Sequence, residues 1–323
     1  MPKWNFINGL DHSFIENVDI RWVYALDVAL KSRATPYQSG YHVNTGAVTK
    51  DGHIVSGSNH EMAITDTVTH GEEAVIVAAL EKSGGDDPIQ VIAFVGLDAG
   101  LPSSCGNCRD AIKQYTNIEN LIMICGPRDG GEAIVLPGAL LFKDEFTEMK
   151  SKEKKEILNS EAVTQALRAE QIAYNVYSTA LSPPIYGATI ECENGLVFRG
   201  SFRGDVAYHP VLPISAAITN FRDGSDDLER RFVKRIVVVA RGKVPSVQYK
   251  DRQHALEFAE AINSLNGRLG EPLPVYLVNI GDTSKKCQVF RTDTNDWLPY
   301  AFSPQHLGLE SEIVNGIRKL FAD

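Results

Sequence analysis

Apolar and polar positions along the first half of the chain predict helices and strands in alternation. Thr65–Lys82 carries its apolar residues at helical spacing and is predicted to be a helix. Gln90–Leu97 and Leu121–Cys125 are short apolar runs rich in β-branched residues, as in buried strands. Between these two runs, Cys105–Tyr115 predicts a second helix. Strands that alternate with helices are typical of a layered α/β domain.

The second half of the chain follows the same alternation. Arg235–Ala240 predicts a strand, Arg252–Leu265 a helix and Pro274–Ile280 another strand. Both halves also contain a predicted hairpin, in Ala47–Gly57 and in Ile190–Gly200, because a tight Asp-Gly or Asn-Gly turn joins two apolar runs there.

Further markers recur in the same order in both halves. A long stretch with a helical pattern precedes each hairpin, at Phe14–Lys31 and at Ala162–Ser178. A Leu-Pro segment closes each half, in Val135–Phe142 and in Trp297–Pro304. Matching markers in the same order predict a domain duplicated in tandem.

The predicted domains are residues 1–150 and 151–323. Composition and charge restrict the classes of function that these domains can have. A chain of 323 residues, 43% hydrophobic and 23% charged, suffices for two folded domains. The net charge of −9 argues against a nucleic-acid-binding face, since neutralised phosphates supply most of such affinity. With no run long enough to span a membrane and no visible secretion signal, we expect a cytoplasmic protein that acts on small molecules.

Two short motifs carry the candidate chemistry, His70-Gly-Glu72 and Cys105-Gly-Asn-Cys108. Two thiolates and one imidazole are three ligands for zinc, and they leave one tetrahedral position open for water, as in catalytic sites. Glu72 lies two residues after His70 on the predicted helix, so it points away from the ligand direction and can act on the water as an acid/base. H-x-E followed by P-C-x-x-C is a zinc deaminase signature, and Ser104 replaces its proline here.

Two other interpretations of these motifs stay open at this point. Cys105 and Cys108 form a Cys-x-x-Cys pair, which also occurs as a redox dithiol. A purely structural zinc site is the second alternative, and it requires a fourth ligand that the neighbouring sequence does not offer.

The sequence around these motifs resembles the cytidine deaminases. Thr35–Val48 resembles the C-P-Y-S-x-F-x-V-G-A-A-L stretch of that family, and Asn59-His-Glu61 resembles its N-x-E motif. His70-Gly-Glu72 and Ser104–Arg109 are similar to its [HC]-A-E and P-C-G-x-C-R motifs. The resemblance covers residues 20–145 and implies a three-layer α/β fold, with a mixed sheet flanked by helices in each copy of the duplicated domain.

The resemblance also implies a role for each matched residue. His70, Cys105 and Cys108 would bind Zn²⁺, and Glu72 would transfer protons. Five further residues are implied to contact the substrate: Asn59 and Glu61 at the ribose hydroxyls, Tyr41 against the base, and Gly71 and Ser104 close to the base.

Some positions depart from the family pattern, and the second half lacks the motifs altogether. Gly71 replaces an alanine, and Asn44-Thr45-Gly46 replaces glycine-alanine-alanine, which leaves the base specificity open. A gap-free continuation of the hairpin alignment places Pro213 opposite His70, and no second Cys-x-x-Cys pair occurs. The first domain is therefore predicted to be catalytic, and the second to be a degenerate deaminase-like domain without zinc ligands.

The reaction that this implies is hydrolytic deamination of cytidine or deoxycytidine to uridine or deoxyuridine, in which zinc-activated water attacks C4 and ammonia is released. One alternative is the same chemistry on a modified nucleoside or another aminated heterocycle. The other is a non-catalytic nucleoside- or zinc-binding protein. Leu298–Phe302 resembles a segment that helps to complete active sites in the family, so we expect the second domain to contribute to the first pocket, within a homodimer of two-domain chains. No nucleic acid or membrane partner is expected.

Overall fold

The computed structural model describes residues 4–36, 39–62, 68–85, 88–96, 104–142, 144, 146–150, 152–175, 185–204, 210–223, 232–268, 270–281 and 286–301. They form two compact units. Among these residues, the first unit takes everything up to Phe142 together with Pro299–Ala301, and the second takes Asp144 to Leu298. Within the described part of the chain, no helix is long and apolar enough to cross a membrane.

A mixed six-stranded sheet forms the centre of the first unit. Its strands are β1 (Trp4–Asn8), β2 (Asn44–Thr49), β3 (Ile54–Ser58), β4 (Ile89–Gly96), β5 (Ile122–Pro127) and β6 (Gly131–Pro137). Their order across the sheet is β1-β6-β5-β4-β2-β3. The pairs β1–β6 and β4–β5 are parallel and the others are antiparallel. The predicted β2–β3 hairpin is confirmed, and Gly52 at its turn has a φ of +86°, which glycine adopts readily.

Helices cover both faces of this sheet. They are α1 (Ile20–Lys31), α2 (Gly71–Ser83), α3 (Gly106–Tyr115) and the short α4 (Gly138–Leu141). A Cβ at Gly46 would lie 2.0 Å from a carbonyl of α1, and a Cβ at Gly57 would lie 2.5 Å from a backbone nitrogen of α2. Gly57 pairs with Thr45, the neighbour of Gly46, so the two glycines face opposite sides of the sheet. The predicted three-layer arrangement is therefore present in the first unit.

A mixed five-stranded sheet forms the centre of the second unit. Its strands are β8 (Gly187–Cys192), β9 (Val197–Ser201), β11 (Val233–Arg241), β12 (Pro274–Ile280) and β13 (Gln288–Asp293). Their order is β13-β12-β11-β8-β9, and the short strands β7 (Tyr174–Asn175) and β10 (Arg203–Gly204) pair separately. The helices are α5 (Lys152–Leu158), α6 (Glu161–Gln171), α7 (Pro213–Asp223), α8 (Tyr249–Leu265) and α9 (Thr294–Trp297).

The second unit places its helices in the same way. A Cβ at Gly187 would lie 2.0 Å from a carbonyl of α6, and a Cβ at Gly200 would lie 2.0 Å from a carbonyl of α7. Gly200 pairs with Ala188, the neighbour of Gly187, so α6 and α7 cover opposite faces of the sheet. Such close approach of helix to sheet is open only to glycine, which explains why both hairpins contain it.

Each unit has its own apolar core between sheet and helices. In the first, Leu26 of α1 packs in one cluster with Val91 and Ile124 of the sheet, and all three are buried. In the second, Phe221 of α7 meets Phe258 of α8 edge to face, with ring centroids 5.2 Å apart. Burying side chains of this size contributes about 1.5–3 kcal/mol each, which fixes the helices on the sheets.

Five strands of the two sheets correspond in order and in direction. The series β6-β5-β4-β2-β3 has the same parallel and antiparallel pairs as β13-β12-β11-β8-β9. This agreement supports the predicted duplication. The Leu-Pro marker does not: Leu136 lies within β6, whereas Leu298 follows α9, so the two segments occupy different places in the fold. That part of the sequence comparison was wrong because a two-residue match has no register of its own.

Three predicted helices are too long at one end. The helix predicted over Phe14–Lys31 begins only at Ile20, since Asp19 has extended backbone and accepts a hydrogen bond from the Arg21 N–H as its N-cap. The helix predicted over Ala162–Ser178 ends at Gln171, and residues 176–178 lie outside the described residues. In the third, Val68 to His70 precede the helix and residues 65–67 lie outside the described ones.

Candidate active site

The three predicted zinc ligands lie at the beginnings of α2 and α3. His70 and Cys105 each have extended backbone and immediately precede a helix, with ψ of 155° and 170°. Cys108 lies in the first turn of α3 and is fully buried. Unpaired N–H groups give a helix start a partial positive charge, which favours the thiolate form of a cysteine. The fold thus brings together the two motifs that the sequence separates.

The ligand atoms form a small triangle. His70 Nδ1 lies 3.5 Å from Cys105 Sγ and 3.2 Å from Cys108 Sγ, and the two sulfurs are 3.5 Å apart. Among the residues that the structure describes, no other three His, Cys, Asp or Glu side chains come close enough to share a metal ion. Tetrahedral zinc with bonds of about 2.0–2.3 Å holds its ligand atoms roughly 3.5 Å apart. The residues present therefore fit zinc, and three ligands leave one position open.

Glu72 is buried beside this triangle. Its side chain belongs to the first turn of α2 and is 5% exposed. Burial raises the pKa of Glu72 to about 7, and the negative charge of Cys105 adds to this, while the charge of His70 acts in the opposite direction. A carboxyl group that titrates near neutral pH can both accept and return a proton during one reaction. This placement is what proton transfer at the metal site requires.

The three candidate ligands shift one another's pKa values when no metal is bound. The hydrogen bond with Cys105 raises the pKa of His70 to about 9, although burial opposes it. Hydrogen bonds with Cys108 and with His70 hold the pKa of Cys105 well below its usual value, and burial raises the pKa of Cys108 well above. Cys105 is thus the thiolate of the pair, and zinc binding would release the remaining protons.

Asn59 and Glu61 hold the segment that contains Tyr41. Asn59 Oδ1 accepts a hydrogen bond from the Val43 N–H at 3.0 Å, and Asn59 Nδ2 donates to the Tyr41 carbonyl at 2.8 Å. Glu61 accepts from the Ser39 N–H at 2.9 Å and from the Ser39 hydroxyl. An amide has a second N–H and a second lone pair, so Asn59 can also bind a sugar hydroxyl. Contact of these residues with ribose and base stays a prediction.

Gly71 and Thr45 form a complementary pair beneath the start of α2. The buried Thr45 hydroxyl donates to the Gly71 carbonyl at 2.5 Å. A Cβ at Gly71 would lie 3.1 Å from Thr45 Oγ1 and 3.2 Å from the Val43 carbonyl, closer than side-chain carbons ordinarily come. The two departures from the alanines of the family pattern therefore compensate each other. Packing explains Gly71, and its contact with substrate stays a prediction.

Ser104 immediately precedes Cys105 and is buried. Its hydroxyl is buried and has no hydrogen-bond partner among the described residues. Its carbonyl accepts from Arg109 Nε at 3.0 Å, and the same guanidinium donates to the carbonyls of Leu141 and Pro299, at 2.9 and 2.6 Å. A buried hydroxyl without a partner costs free energy, so the Ser104 hydroxyl is a candidate to contact a substrate.

Comparison with known proteins gives a family match over part of the chain. Residues 127–252 match the family model of the cytidine and deoxycytidylate deaminase zinc-binding region. The match covers less than half of the chain and supports the cytidine deaminase family that the sequence motifs indicate.

Three solved structures to which this chain is similar are cytidine deaminases. The one from Burkholderia pseudomallei is 24% identical, with 39% of this chain and 97% of that chain covered and a TM-score of 0.35. The one from Mycobacterium leprae is 24% identical, with 39% and 100% covered and a TM-score of 0.32. The one from Mycobacterium tuberculosis is 22% identical, with 40% and 99% covered and a TM-score of 0.32. Likeness at such TM-scores supports no further conclusion.

The family match and the ligand triangle are complementary evidence for the cofactor. The matched stretch, 127–252, contains none of His70, Cys105 and Cys108. The triangle supplies the donor set that a zinc-binding family needs, with the distances described above. Together they identify Zn²⁺ as the cofactor of the chain and confirm that prediction.

The second unit has other residues at the positions of the candidate ligands. The hairpin glycines fix the equivalence, because a Cβ at Gly57 would meet the first residue of α2, and a Cβ at Gly200 would meet the first residue of α7, Pro213. The residue before α7, Leu212, is therefore equivalent to His70. The gap-free alignment, which placed Pro213 opposite His70, is one residue out of register. The connection from hairpin glycine to helix is one residue shorter in the second unit.

Arg109 and Arg252 fix the second equivalence. In each, Nε donates to the carbonyl five residues earlier, and Nη1 donates to the carbonyl of the last residue of α4 or of α9. Gln248 and Asp251 of the second unit therefore take the places of Cys105 and Cys108. The sequence placed Arg109 directly after Cys108, within the Ser104–Arg109 motif, but nothing in it gave the arginine a structural role.

Asp251 joins the two helices at this place in the second unit. Its carboxylate is fully buried. Oδ2 accepts from the Tyr186 hydroxyl at 3.1 Å and from the Ile214 N–H at 2.9 Å. Oδ1 accepts from the N–H and the hydroxyl of Ser215, at 3.0 and 3.1 Å. A side chain in the first turn of α8 thus binds the first turn of α7. At the equivalent place in the first unit, the starts of α2 and α3 bring the candidate zinc ligands together.

Glu73 and Asn107 are functional candidates that the sequence reasoning missed. Glu73 Oε2 accepts from the His70 N–H at 2.9 Å, and Glu73 Oε1 accepts from Asn107 Nδ2 at 2.9 Å. A signal was present, since an acidic residue at the third position of a helix is typical of a capping box. The partner on α3 had no such signal, because only the fold places it there.

Proposed function

We propose that the chain catalyses the hydrolytic deamination of cytidine or deoxycytidine, with uridine or deoxyuridine and ammonia as products. The observation that carries the proposal is the buried carboxyl group of Glu72, with a pKa near 7, beside a His/Cys/Cys triangle, in a chain that matches the family model of the cytidine and deoxycytidylate deaminase zinc-binding region. No other buried carboxyl group is needed for the proton transfers of this reaction.

The chain's own residues supply the proton path. Zinc held by His70, Cys105 and Cys108 would lower the pKa of a bound water towards neutrality. Glu72 takes one proton from the attacking water and delivers it to N3 of the pyrimidine as the C4–O bond forms. Glu72 then moves the remaining hydroxyl proton to the amino group, so that the C4–N bond breaks, ammonia leaves and the C4 carbonyl forms. Burial around Glu72 keeps bulk water from competing for these protons.

Substrate recognition is proposed for residues at three places around Glu72. Asn59 and Glu61 hold the ribose hydroxyls while they order the segment that contains Tyr41, whose ring lies against the base. The Ser104 hydroxyl, which lacks a protein partner among the described residues, faces the base. Gly71, which packs against Thr45, lies close to the base.

Assembly and location are proposed from the sequence alone. We expect a cytoplasmic homodimer in which the segment after Leu298 completes the pocket of the first unit. The bond from Arg109 to the Pro299 carbonyl supports this, because it attaches that segment to the helix that carries two zinc ligands. A chain that ends at Leu298 is expected to lose activity, and sedimentation of the full chain gives its oligomeric state.

The decisive experiment measures ammonia release from cytidine and deoxycytidine by the full chain, with its zinc content determined. Glu72→Gln is expected to keep stoichiometric zinc and to lose about 10²–10⁴-fold in kcat, the usual worth of a general acid/base. Glu81→Gln, an exposed change on the same helix, is the matched control and should keep the parent's rate. A Glu72→Gln enzyme with most of its rate would refute the mechanism.

A zinc-loaded parent without turnover on either nucleoside would move the proposal to the second candidate. That candidate is the same chemistry on another aminated heterocycle, and it is favoured by the departures at Gly71 and Ser104. Binding of cytidine without turnover of any amine would instead identify a non-catalytic nucleoside-binding protein. Reduction of disulfides by the metal-free cysteines would identify a redox dithiol.

A further inference from the structure

The carboxylate of Glu73 bridges the two helices that carry the zinc ligands without being a ligand itself. One oxygen accepts from the backbone N–H of His70, directly before α2, and the other accepts from the side-chain amide of Asn107 in the first turn of α3. Both hydrogen bonds are 2.9 Å long. Among the described residues that surround the triangle, this side chain thus has one hydrogen bond on each of the two ligand-bearing segments.

A cap on α2 explains only half of this arrangement. An acidic residue at the third helical position commonly binds back to the N-cap N–H, and the bond to His70 is of this kind. Asn107 plays no part in that motif, and it lies on the other helix, between Cys105 and Cys108. The bond to Asn107 therefore has a different consequence: it sets how far the start of α3 lies from the start of α2.

Zinc affinity depends on this spacing. The ligand atoms must lie within a few tenths of an ångström of their places around the ion, so partners that orient ligands commonly change metal affinity by about 10–100-fold when removed. The second unit gives the converse case. At the equivalents of Glu73 and Asn107 it has Ser215 and Lys250, and Asp251 joins its two helices instead.

We propose that Glu73 is a positioning residue that holds the starts of α2 and α3 at the spacing zinc needs, with Asn107 as its partner on α3. The inference rests on the His/Cys/Cys zinc site of the proposed function, but not on the identity of the substrate.

The test compares three variants of the full chain by competition for zinc with a chromogenic chelator. Asn107→Ala removes the bridge but keeps the cap, and it should weaken zinc binding about 10-fold. Glu73→Ala removes both and should weaken it by up to about 100-fold. Glu73→Gln should bind zinc within about 3-fold of the parent, because its amide oxygen can accept from His70 and its amide N–H can donate to the oxygen of a rotated Asn107.

Two controls separate positioning from other effects. Glu81→Ala removes a negative charge from the exposed end of the same helix and should leave zinc binding unchanged. The melting temperature of zinc-free Asn107→Ala should equal that of the zinc-free parent, since the cap on α2 remains. The inference is overturned if Asn107→Ala binds zinc as tightly as the parent does. It is also overturned if Glu81→Ala loses as much zinc affinity as Glu73→Ala, or if the parent binds no zinc. A parent that binds zinc in this pattern but turns over no nucleoside would remove the proposed function and leave the positioning role in place.

Discussion

Replacing Asp251 by Asn is expected to detach α7 from α8 in the second unit although it hardly changes the volume of the side chain. Each carboxylate oxygen accepts one backbone N–H, Oδ2 from Ile214 and Oδ1 from Ser215. An amide has one oxygen and one NH₂ group, so in either orientation it directs a donor at one of these two N–H groups. The hydroxyls of Tyr186 and Ser215 can rotate to suit an amide, but a backbone N–H of a helix cannot.

The magnitude follows from the bonds that are lost. A hydrogen bond to a charged group contributes about 1.5–3 kcal/mol, and a buried donor left without a partner costs about 1–3 kcal/mol. Asp251→Asn should therefore lower the free energy of unfolding by about 2–4 kcal/mol. Asp251→Ala, which loses every bond of the carboxylate and leaves a small cavity, should lower it by about 3–5 kcal/mol.

Urea unfolding of the full chain measures these free energies, and native-state hydrogen exchange assigns the loss to amides of α7 and α8. Asp223→Asn is the matched control, because Asp223 is exposed at the last residue of α7 and should change stability by less than about 0.5 kcal/mol. If Asp251→Asn unfolds within about 0.5 kcal/mol of the parent, the carboxylate only fills space and the reasoning is refuted.

Three further predictions concern the first unit. Gly71→Ala should lower the free energy of unfolding by about 1–3 kcal/mol, because the new methyl group crowds Thr45, and adding Thr45→Ala should recover most of this loss. If the two losses of stability simply add in a double-mutant cycle, Gly71 and Thr45 do not compensate each other. In the zinc-free protein, the neutral carboxyl of Glu72 stabilises the fold below pH 4.5, and this contribution of about 3 kcal/mol is lost as the pH rises through its folded pKa of about 7. The melting temperature of Glu72→Gln in chelator should therefore rise relative to the parent's over that range, and a constant difference would count against the raised pKa. Chelation should speed amide hydrogen exchange at the starts of α2 and α3 and leave the starts of α7 and α8 unchanged, whereas equal acceleration in both units would show that the effect is not local.

The cluster of candidate metal ligands could be predicted from the sequence because zinc chemistry restricts both residue type and spacing. Cys105 and Cys108 are separated by one turn of a helix, so their relation to each other depends on local geometry alone. Glu72 follows His70 closely enough for the same reason. The residues that the sequence did not reveal act across elements: the bond of Asn107 to Glu73 exists only because two helix starts meet.

Register in the second unit was lost for a related reason. The alignment from Ile190–Gly200 onwards assumed loops of equal length, and one missing residue before α7 shifted the pairing at His70, although the alignment is in register again where Gln248 stands opposite Cys105. Neither apolar pattern nor motif could correct the pairing at His70, because Leu212 has no metal chemistry to mark it. Contacts of Gly200 with α7 restore the register, since close approach of backbone to backbone permits a single alignment.

The comparison of the two units also explains why the ligand positions of the second unit did not simply become apolar. Two helix starts that converge bring together unpaired N–H groups of the same partial charge, and an anionic or bridging group between them is favoured. In the first unit two cysteine ligands and Glu73 serve this purpose, and in the second Asp251 accepts N–H groups of α7 directly. An apolar residue at position 251 would leave these donors buried without partners, which costs about 1–3 kcal/mol for each donor. A carboxylate at the position of the second cysteine is therefore the expected residue in a unit that keeps the helix arrangement but binds no zinc.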